Sequence, residues 1–435
     1  MRIYTYDLPS ELVARHRSST SGQDILERSL TSAIAQSPFA TPNPTASDDL
    51  FYIPMPFHWG GRGRTDVAAV LSYVRAVHPF FNRSASSHML VFTGDLAMDT
   101  PPARKFVEYI PPEIDVASPL RRFVALTLTG NPEAGFQTGK DIVLPPTHWL
   151  KGGPTARDRC CSTKRPRRLS PPLCKERPRV LQDSPWKTAP SFSSHAPYLL
   201  RWAGQASGNG MGRHGGSGPR ARKWLATVVA RTWPDALITD TNNYAHRKRN
   251  VRTLPATAIY STDPMSPRFG YLRPGLRATF CAAPFGRGNG WEGRSATAVR
   301  DGSCLPLLLH PPRTQMPLEP FVPWDRFTIR IPESSLAEST AMSLHQRLKG
   351  ISEHELQRMR CEMACAATHM TYGGAVPSAS CAFATVTPER TGVVATLVTI
   401  LANRRTPANE QMHPRPCPCT NESVDWHYFP MLRAF

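Results

Sequence analysis

Four glycines in the second half of the chain suit chemistry with a phosphate. Gly286, Gly288, Gly290 and Gly293 leave the backbone bare, so its amide groups can approach an anion closely. Arg294 follows where a helix is predicted to start, and the helix dipole there also favours negative charge. Its guanidinium can bind a diphosphate through two parallel hydrogen bonds. The pattern predicts a diphosphate site. The alternative is a glycine-rich surface turn beside a solvated arginine.

Two carboxylates follow segments that are predicted to be buried strands. Glu319 lies beyond residues 305–309, and Asp95 closes the segment that begins at residue 89. In α/β folds, ligand contacts lie outside the carboxyl ends of strands. Glu319 is therefore placed to accept hydrogen bonds from both hydroxyls of a ribose, and Asp95 is a candidate general base. The alternative for Glu319 is an exposed loop glutamate.

Alternating strands and helices are predicted around these residues. Residues 3–6, 89–92 and 142–144 have the apolar pattern of strands in the first half. Five apolar residues between the first two strands keep the spacing of one helix face, with Thr65 as N-cap. They are Val67, Val70, Leu71, Val74 and Val77. A strand, helix, strand order indicates a parallel α/β sheet.

The second half repeats this order of elements. Residues 236–238, 305–309 and 327–331 are predicted strands, and two helices follow. Ser352 and Glu355 form a predicted capping box at the start of the second helix, with the Glu355 side chain reaching back. The apolar residues of that helix keep helical spacing, which predicts a core stripe and not a metal site. They are Leu356, Met359, Met363 and Met370.

The net charge of +19 is concentrated in one segment. Residues 151–223 hold sixteen of the 52 lysines and arginines but three of the 33 acidic residues. The segment is also rich in proline, serine and glycine, which favours a solvated, largely disordered insertion over a polyanion-binding patch. Its few aromatic residues argue against a nucleic-acid partner. At 435 residues and 40% apolar content, the chain has material for two cores.

No targeting or membrane segment is predicted in the sequence. Residues 392–402 form the longest apolar run, which is too short to cross a bilayer, and residues 2–7 lead straight into a strand pattern. The ten cysteines follow no zinc-site spacing and are compatible with a few disulfides or with none. Asn82 and Asn421 begin sequons that would accept glycans in the secretory pathway.

The order of several unusual strings resembles the exostosin-like proteins, glycosyltransferase family 47. In the first half these strings are residues 3–9, 51–54, 78–84 with His88, and 139–146. In the second half they are residues 280–286, 290–294, 302–306, 317–319 and 324–327. Each string alone is weak, but together they keep the family's order over most of the chain.

The resemblance implies a GT-B-like α/β architecture, in which two Rossmann-like domains face a cleft. The domains are expected at residues 1–146, on the acceptor side, and at residues 196–375, which would bind the nucleotide sugar. A basic insertion at residues 147–195 and a C-terminal helix and tail at residues 376–435 complete the division. Family members invert the sugar's configuration and generally need no metal held by an Asp-x-Asp triplet, and this sequence contains no such triplet. No cofactor is expected beyond the UDP-sugar donor.

The resemblance also assigns roles to residues. It places Gly204, Arg220, Gly286, Gly290, Gly293, Arg294 and Glu319 at the donor. It places His88 on the acceptor side, although a histidine beside an apolar strand is also typical of a hydrogen-bonded core residue. The expected partners are a nucleotide sugar and a glycan or glycoprotein acceptor. Family members are membrane-anchored in the Golgi, an address that no segment of this chain carries.

The chain departs from the family pattern at positions that bear on activity. Ser87 replaces an aspartate, Thr279 replaces a lysine, and Ser303 is inserted in the string at residues 302–306. Losing a carboxylate and a cation lowers the rate if they act on the substrate. The alternative function is therefore a catalytically inactive relative that binds glycan or assists another glycosyltransferase. The insertion and the missing anchor also fit a truncated or partly mistranslated gene.

Overall fold

Two parallel β-sheets form the framework of the protein in the computed structural model. The structure describes residues 1–12, 24–44, 49–57, 67–82, 87–92, 123–128, 130, 132, 136–145, 196, 198–204, 218–240, 278–285, 295–296, 298–299, 304–310, 314–370, 372 and 392–412. Each sheet has five strands, and every neighbouring pair is parallel. The predicted α/β class is thereby confirmed.

The chain divides into two compact units that are not consecutive in sequence. Unit 1 comprises Met1–Pro185, Arg313–Val322 and Thr368–Arg415. Unit 2 comprises Trp186–Pro312, Pro323–Ala367 and Pro416–Phe435. Two segments from the second half of the chain therefore belong to the same unit as the first half. Domain boundaries that divide the chain into consecutive stretches do not describe this arrangement.

Unit 1 is built on sheet 1, whose strands lie side by side in chain order. The strands are β1 (Ile3–Thr5), β2 (Leu50–Phe57), β3 (His88–Phe92), β4 (Val124–Thr127) and β5 (Ile142–Val143). Two helices of this unit are α1 (Asp24–Ala35) and α2 (Val67–Val77). The predicted helix at α2 is confirmed, since Val70 and Val74 are buried in one cluster with Phe51, Leu90 and Phe92.

Unit 2 is built on sheet 2, in which the strand order is β10-β9-β8-β6-β7. The strands are β6 (Tyr198–Gly204), β7 (Ala236–Asp240), β8 (Ala278–Pro284), β9 (Leu305–His310) and β10 (Ile329–Pro332). The helices are α3 (Gly218–Trp224), α4 (Ala230–Thr232), α5 (Glu338–Lys349) and α6 (Glu353–His369). A π-helical turn, Leu225–Val229, joins α3 to α4.

Two tryptophans fasten α3 and α4 to α5. The indole N–H groups of Trp224 and Trp233 donate to the carbonyl oxygens of Ala337 and Ala341, at 3.0 and 3.1 Å. Each bond satisfies the polar atom of a buried tryptophan. The helical layer is therefore held by specific bonds as well as by apolar contact.

The start of α6 differs in one detail from the predicted capping box. Ser352 accepts the backbone N–H of Glu355 at 3.2 Å, as expected of an N-cap. The carboxylate of Glu355 does not reach back, because Arg358 one turn later donates two bonds to it, at 2.6 and 2.8 Å. The predicted core stripe is confirmed, since Met359 and Met363 are buried.

The last helix, α7 (Gly392–Asn403), belongs to unit 1. Its residues are buried almost throughout, including Val393, Leu397 and Leu401. The apolar run predicted at residues 392–402 is therefore a core helix of unit 1. Among the described residues, no helix is both long enough and apolar enough to span a bilayer.

Candidate functional site

The strand order of sheet 2 reverses at β6. From β6 the chain moves to one side to form β7, then returns to the other side to form β8, β9 and β10. In register, β6 pairs with both neighbours, through Gly204 opposite Asp240 and Arg201 opposite Cys281. In open α/β sheets, connections that leave in opposite directions open a crevice at the carboxyl ends of the two central strands. By this rule, a ligand site of sheet 2 is expected at the carboxyl ends of β6 and β8.

One of the predicted donor-binding residues, Gly204, lies at this switch point. Gly204 is the last residue of β6. The glycine loop begins directly after Phe285, which follows β8 and donates its N–H to the carbonyl of Leu309 at 2.6 Å. Ser295 and Ala296 are helical, as expected just beyond the loop. Gly286, Gly290, Gly293 and Arg294 themselves lie outside the described residues.

A disulfide closes the base of the glycine loop. Cys281 in β8 and Cys304 just before β9 are bonded to each other, and both are buried. The 23-residue separation between them contains the whole loop. Both ends of the loop are thereby tied to the central strands. No cysteine pairing was predicted from the sequence, which fits several pairings or none.

Arg220 lies on α3, which follows the carboxyl end of β6. Its Nη2 donates to the carbonyl oxygens of Leu336 and Ser334, at 3.3 and 3.5 Å. Next to it, the backbone N–H of Ala221 donates to the buried carboxylate of Glu333 at 2.9 Å. Leu336, Ser334 and Glu333 come just after β10, so these bonds tie α3 to the carboxyl end of that strand. Arg220 is exposed at the same edge of sheet 2 as Gly204.

Glu319 belongs to unit 1, whereas Gly204 and Arg220 belong to unit 2. Its Oε2 accepts the backbone N–H of Met316 at 2.7 Å, so the carboxylate braces its own loop. The loop is anchored beyond β5, where Leu318 donates its N–H to the carbonyl of Val143 at 2.7 Å. Leu318 has a φ of 58°, a left-handed conformation that costs energy in a residue other than glycine. The ribose-binding role of Glu319 stays a prediction.

A close approach of two backbones fixes the same loop to β4. Gly130 and Gln315 form an antiparallel bridge in which Gln315 donates its N–H to the Gly130 carbonyl at 3.1 Å. A Cβ atom at Gly130 would overlap the Gln315 carbonyl oxygen and would lie 2.8 Å from the Gln315 Cβ. Only glycine permits this approach. The loop 314–322 thus lies across the carboxyl ends of β4 and β5.

His88 occupies the position of a core residue. It begins β3 and is fully buried. Its Nε2 lies 2.7 Å from the Tyr6 hydroxyl, and burial raises the pKa of that tyrosine. The His88 ring stacks on Phe51 at 5.0 Å and meets Phe81 and Phe123 edge-on. Since His88 is at the amino end of its strand, these contacts favour the core interpretation. Asp95 lies outside the described residues.

Ser87, where the family pattern has an aspartate, has a structural contact. It is buried beside His88 and accepts a hydrogen bond from the Arg405 guanidinium at 3.1 Å. Arg405 follows α7, so the bond ties the end of the last helix to the amino end of β3. Ser87 is therefore part of an anchor of unit 1 that lies at the amino ends of the strands of sheet 1.

The string at residues 139–146 also makes structural contacts. The buried Asp141 carboxylate accepts the backbone N–H groups of Ala125 and Gln137, at 3.1 and 2.8 Å. It also forms an ion pair with Lys140 at 2.7 Å, and burial lowers the pKa of that lysine. The fully satisfied carboxylate fastens the amino ends of β4 and β5.

The sequence did not single out a histidine and a tyrosine beside loop 314–322. His369 ends α6, and its Nδ1 lies 2.9 Å from the Thr396 hydroxyl in α7. Burial lowers its pKa to about 4, so the ring is neutral at pH 7. Tyr372 donates to the Pro145 carbonyl beyond β5 at 2.7 Å. The methionine-rich core stripe predicted around α6 gave no signal of these contacts, because the partners of His369 and Tyr372 come from other elements.

The metal-ligating side chains in the described part of the chain form no cluster of three or more. Comparison of the chain with models of known protein families finds no match, and no curated protein matches it.

Proposed function

We propose that the chain is an exostosin-like glycosyltransferase of GT-B architecture that binds a UDP-sugar at the carboxyl edge of sheet 2. It transfers the sugar, with inversion, to a glycan or glycoprotein acceptor. The observation that carries the proposal is the switch point between β6 and β8, where Gly204 ends one strand and the glycine loop follows the other. A nucleotide at a switch point is a recurrent arrangement in parallel α/β sheets.

The residues around this edge suit a diphosphate. Bare backbone at Gly204 and in the glycine loop would let amide groups approach phosphate oxygens, and Arg294 would neutralise charge on the departing diphosphate. Arg220 adds a cation at the same edge. In the transfer, the acceptor hydroxyl oxygen bonds to the anomeric carbon while the bond from that carbon to the phosphate oxygen breaks. UDP leaves with the electron pair, and the hydroxyl proton passes to a general base, for which Asp95 stays the candidate.

The disulfide at the base of the loop supports folding in the secretory pathway. Disulfides form and persist in oxidising compartments and are rare in the cytosol. Cys281 and Cys304 are both buried, so the bond is part of the core of unit 2. This agrees with the two sequons at Asn82 and Asn421. Residence in the Golgi, next to glycan or glycoprotein acceptors, is the corresponding proposal.

The test is calorimetric titration of the full chain with UDP and a panel of UDP-sugars. We expect Arg294→Ala to weaken UDP binding at least about tenfold, because charge-assisted hydrogen bonds to the diphosphate are lost. Arg231→Ala is the matched control. It removes the same charge from an exposed arginine that is paired with Glu338. Arg231 precedes the amino end of β7, whereas the proposed site is at the carboxyl edge of sheet 2.

The outcomes separate the candidate functions. Tight UDP binding that Arg294→Ala abolishes and Arg231→Ala preserves would support the site, and transfer to a glycan with inverted configuration would support the enzyme. UDP binding with no transfer to any acceptor would favour the inactive relative. A folded chain that binds no UDP or UDP-sugar would overturn the proposal.

A further inference from the structure

His369 contacts loop 314–322, which is anchored at the carboxyl edge of sheet 1. Phe321, in loop 314–322, contacts its ring edge-on with centroids 5.4 Å apart. Tyr372, three residues later, is bonded to the Pro145 carbonyl just beyond β5. His369, Phe321 and Tyr372 are all half-buried. An aromatic ring and a polar ring therefore lie together at the edge where parallel sheets bind ligands.

The hydrogen bond to Thr396 sets the tautomer of His369. Thr396 is buried in α7, so its hydroxyl proton needs an acceptor. Thr399 and Thr406 donate to the backbone carbonyl four residues earlier, at 2.9 and 3.0 Å, whereas the hydroxyl of Thr396 is bonded to His369 Nδ1. Thr396 therefore donates and Nδ1 accepts. In a neutral imidazole the proton is then on Nε2.

The resulting group is an uncharged donor. The Nε2–H of His369 has no acceptor among the residues that the structure describes. The ring carries no charge at pH 7, so it suits a neutral oxygen better than a phosphate or a carboxylate. A neutral donor beside an aromatic ring is the kind of lining that fixes the orientation of a small polar ligand. Sugar hydroxyls supply neutral oxygens next to apolar C–H faces.

We propose that His369 and Phe321 form a carbohydrate subsite at the carboxyl edge of sheet 1, in which Nε2–H donates to a sugar hydroxyl of the acceptor. Identification of this sugar as the acceptor rests on the proposed transferase function. The subsite itself depends only on described residues of unit 1, so it can be tested independently of UDP binding.

The first experiment reads the tautomer directly. In nitrogen-15 spectra of the full chain at pH 7, we expect His369 to carry its proton on Nε2 and to stay neutral. Thr396→Val removes the donor to Nδ1 and should shift the ring toward a mixture of tautomers. A proton on Nδ1, or a charged ring, in the unmodified chain at pH 7 would overturn the proposal.

The second experiment measures ligand binding with four soluble probes. They are a pectic oligosaccharide, a hemicellulosic oligosaccharide, a heparan-type oligosaccharide and a hydroxyproline-rich glycopeptide. We expect at least one probe to shift the His369 Nε2–H signal, and His369→Phe to weaken that probe about tenfold, the size expected for one lost hydrogen bond. His354→Phe, on the exposed face of α6, is the matched control and should change nothing.

The results also separate this inference from the transferase proposal. UDP binding that persists while no probe shifts the His369 signal would overturn the carbohydrate subsite alone. A probe that binds at His369 in a chain that never binds UDP would keep the subsite and overturn the transferase. Equal loss of probe binding in His369→Phe and His354→Phe would also overturn the subsite, because the effect would not depend on Nε2.

Discussion

The carboxyl edges of the two sheets are completed in different ways. In sheet 2 the strand order reverses between β6 and β8, and β6 ends at Gly204. In the described part of sheet 1 the five strands follow chain order without a reversal, and loop 314–322 and Tyr372 lie across the ends of β4 and β5. One edge is thus shaped by strand order and the other by segments that return from later in the chain.

The difference shows how one pattern of strands and helices produces two kinds of carboxyl edge, which suit different ligands. A reversal of strand order opens a crevice from backbone alone, which suits a ligand recognised by main-chain amides. An edge without a reversal needs side chains brought in by other segments, as His369 and Phe321 are here. Three changes would break or sharpen this comparison.

The largest effect is expected at Gly130. In Gly130→Val the new side chain would overlap the Gln315 carbonyl, so loop 314–322 would have to leave the end of β4. We expect a loss of about 3 kcal/mol in the stability of unit 1, measured by urea unfolding. Gly139→Ala is the contrast. Its Cβ would meet nothing within 4 Å, and only the φ of 87° should cost about 1 kcal/mol. Equal costs at both glycines would show that the loop is not docked this closely.

The disulfide in sheet 2 should have the next largest effect. Replacing both Cys281 and Cys304 by serine releases a loop closed by 23 residues of separation, so we expect unit 2 to lose roughly 3 kcal/mol. Thermal unfolding of the double variant and of the unmodified chain, both without reductant, measures this loss. In a peptide digest of the unmodified chain, the peptides that contain Cys281 and Cys304 should appear only as a linked pair before reduction. In the double variant, reductant should have no bond to break at this position. Two unmodified thiols in the native chain would contradict the pairing.

The smallest effect is a dependence of stability on pH. The pKa of His369 is about 4 in the folded chain and near 6.5 when unfolded, so the unfolded chain binds more protons between these values. The contribution of His369 to the free energy of unfolding is therefore fully present above about pH 6.5. It is lost as the pH falls toward about 4, and the loss is about 2 kcal/mol for this half-buried group. His369→Phe should flatten that part of the stability curve, whereas His354→Phe should keep it. An unchanged slope in His369→Phe would show that the ring titrates normally.

Local patterns predicted the elements more fully than the contacts between them. The spacing of Val70 and Val74 predicted α2, and the helix start predicted beside Arg294 agrees with the helical Ser295 and Ala296, whereas β8 before the glycine loop was not predicted as a strand. His88 was predicted on the acceptor side, with a hydrogen-bonded core histidine as the alternative. The structure surrounds it with aromatic rings from Tyr6 just after β1, from β2 and from the segment before β4. Such an environment comes from residues far apart in sequence, so no local spacing reports it.

The sequence by itself determined the α/β class and part of the helices and strands, such as α2, β3 and β9, whereas the phosphate-binding role of the loop before Arg294 stays a prediction. Hydrophobic period and glycine content act within a few residues, so they are readable along the chain. The tertiary structure decided that strand order reverses at β6, that Glu319 lies in unit 1 and that Thr396 orients His369. These features depend on which distant segments pack together, and that choice is made by the burial of whole faces.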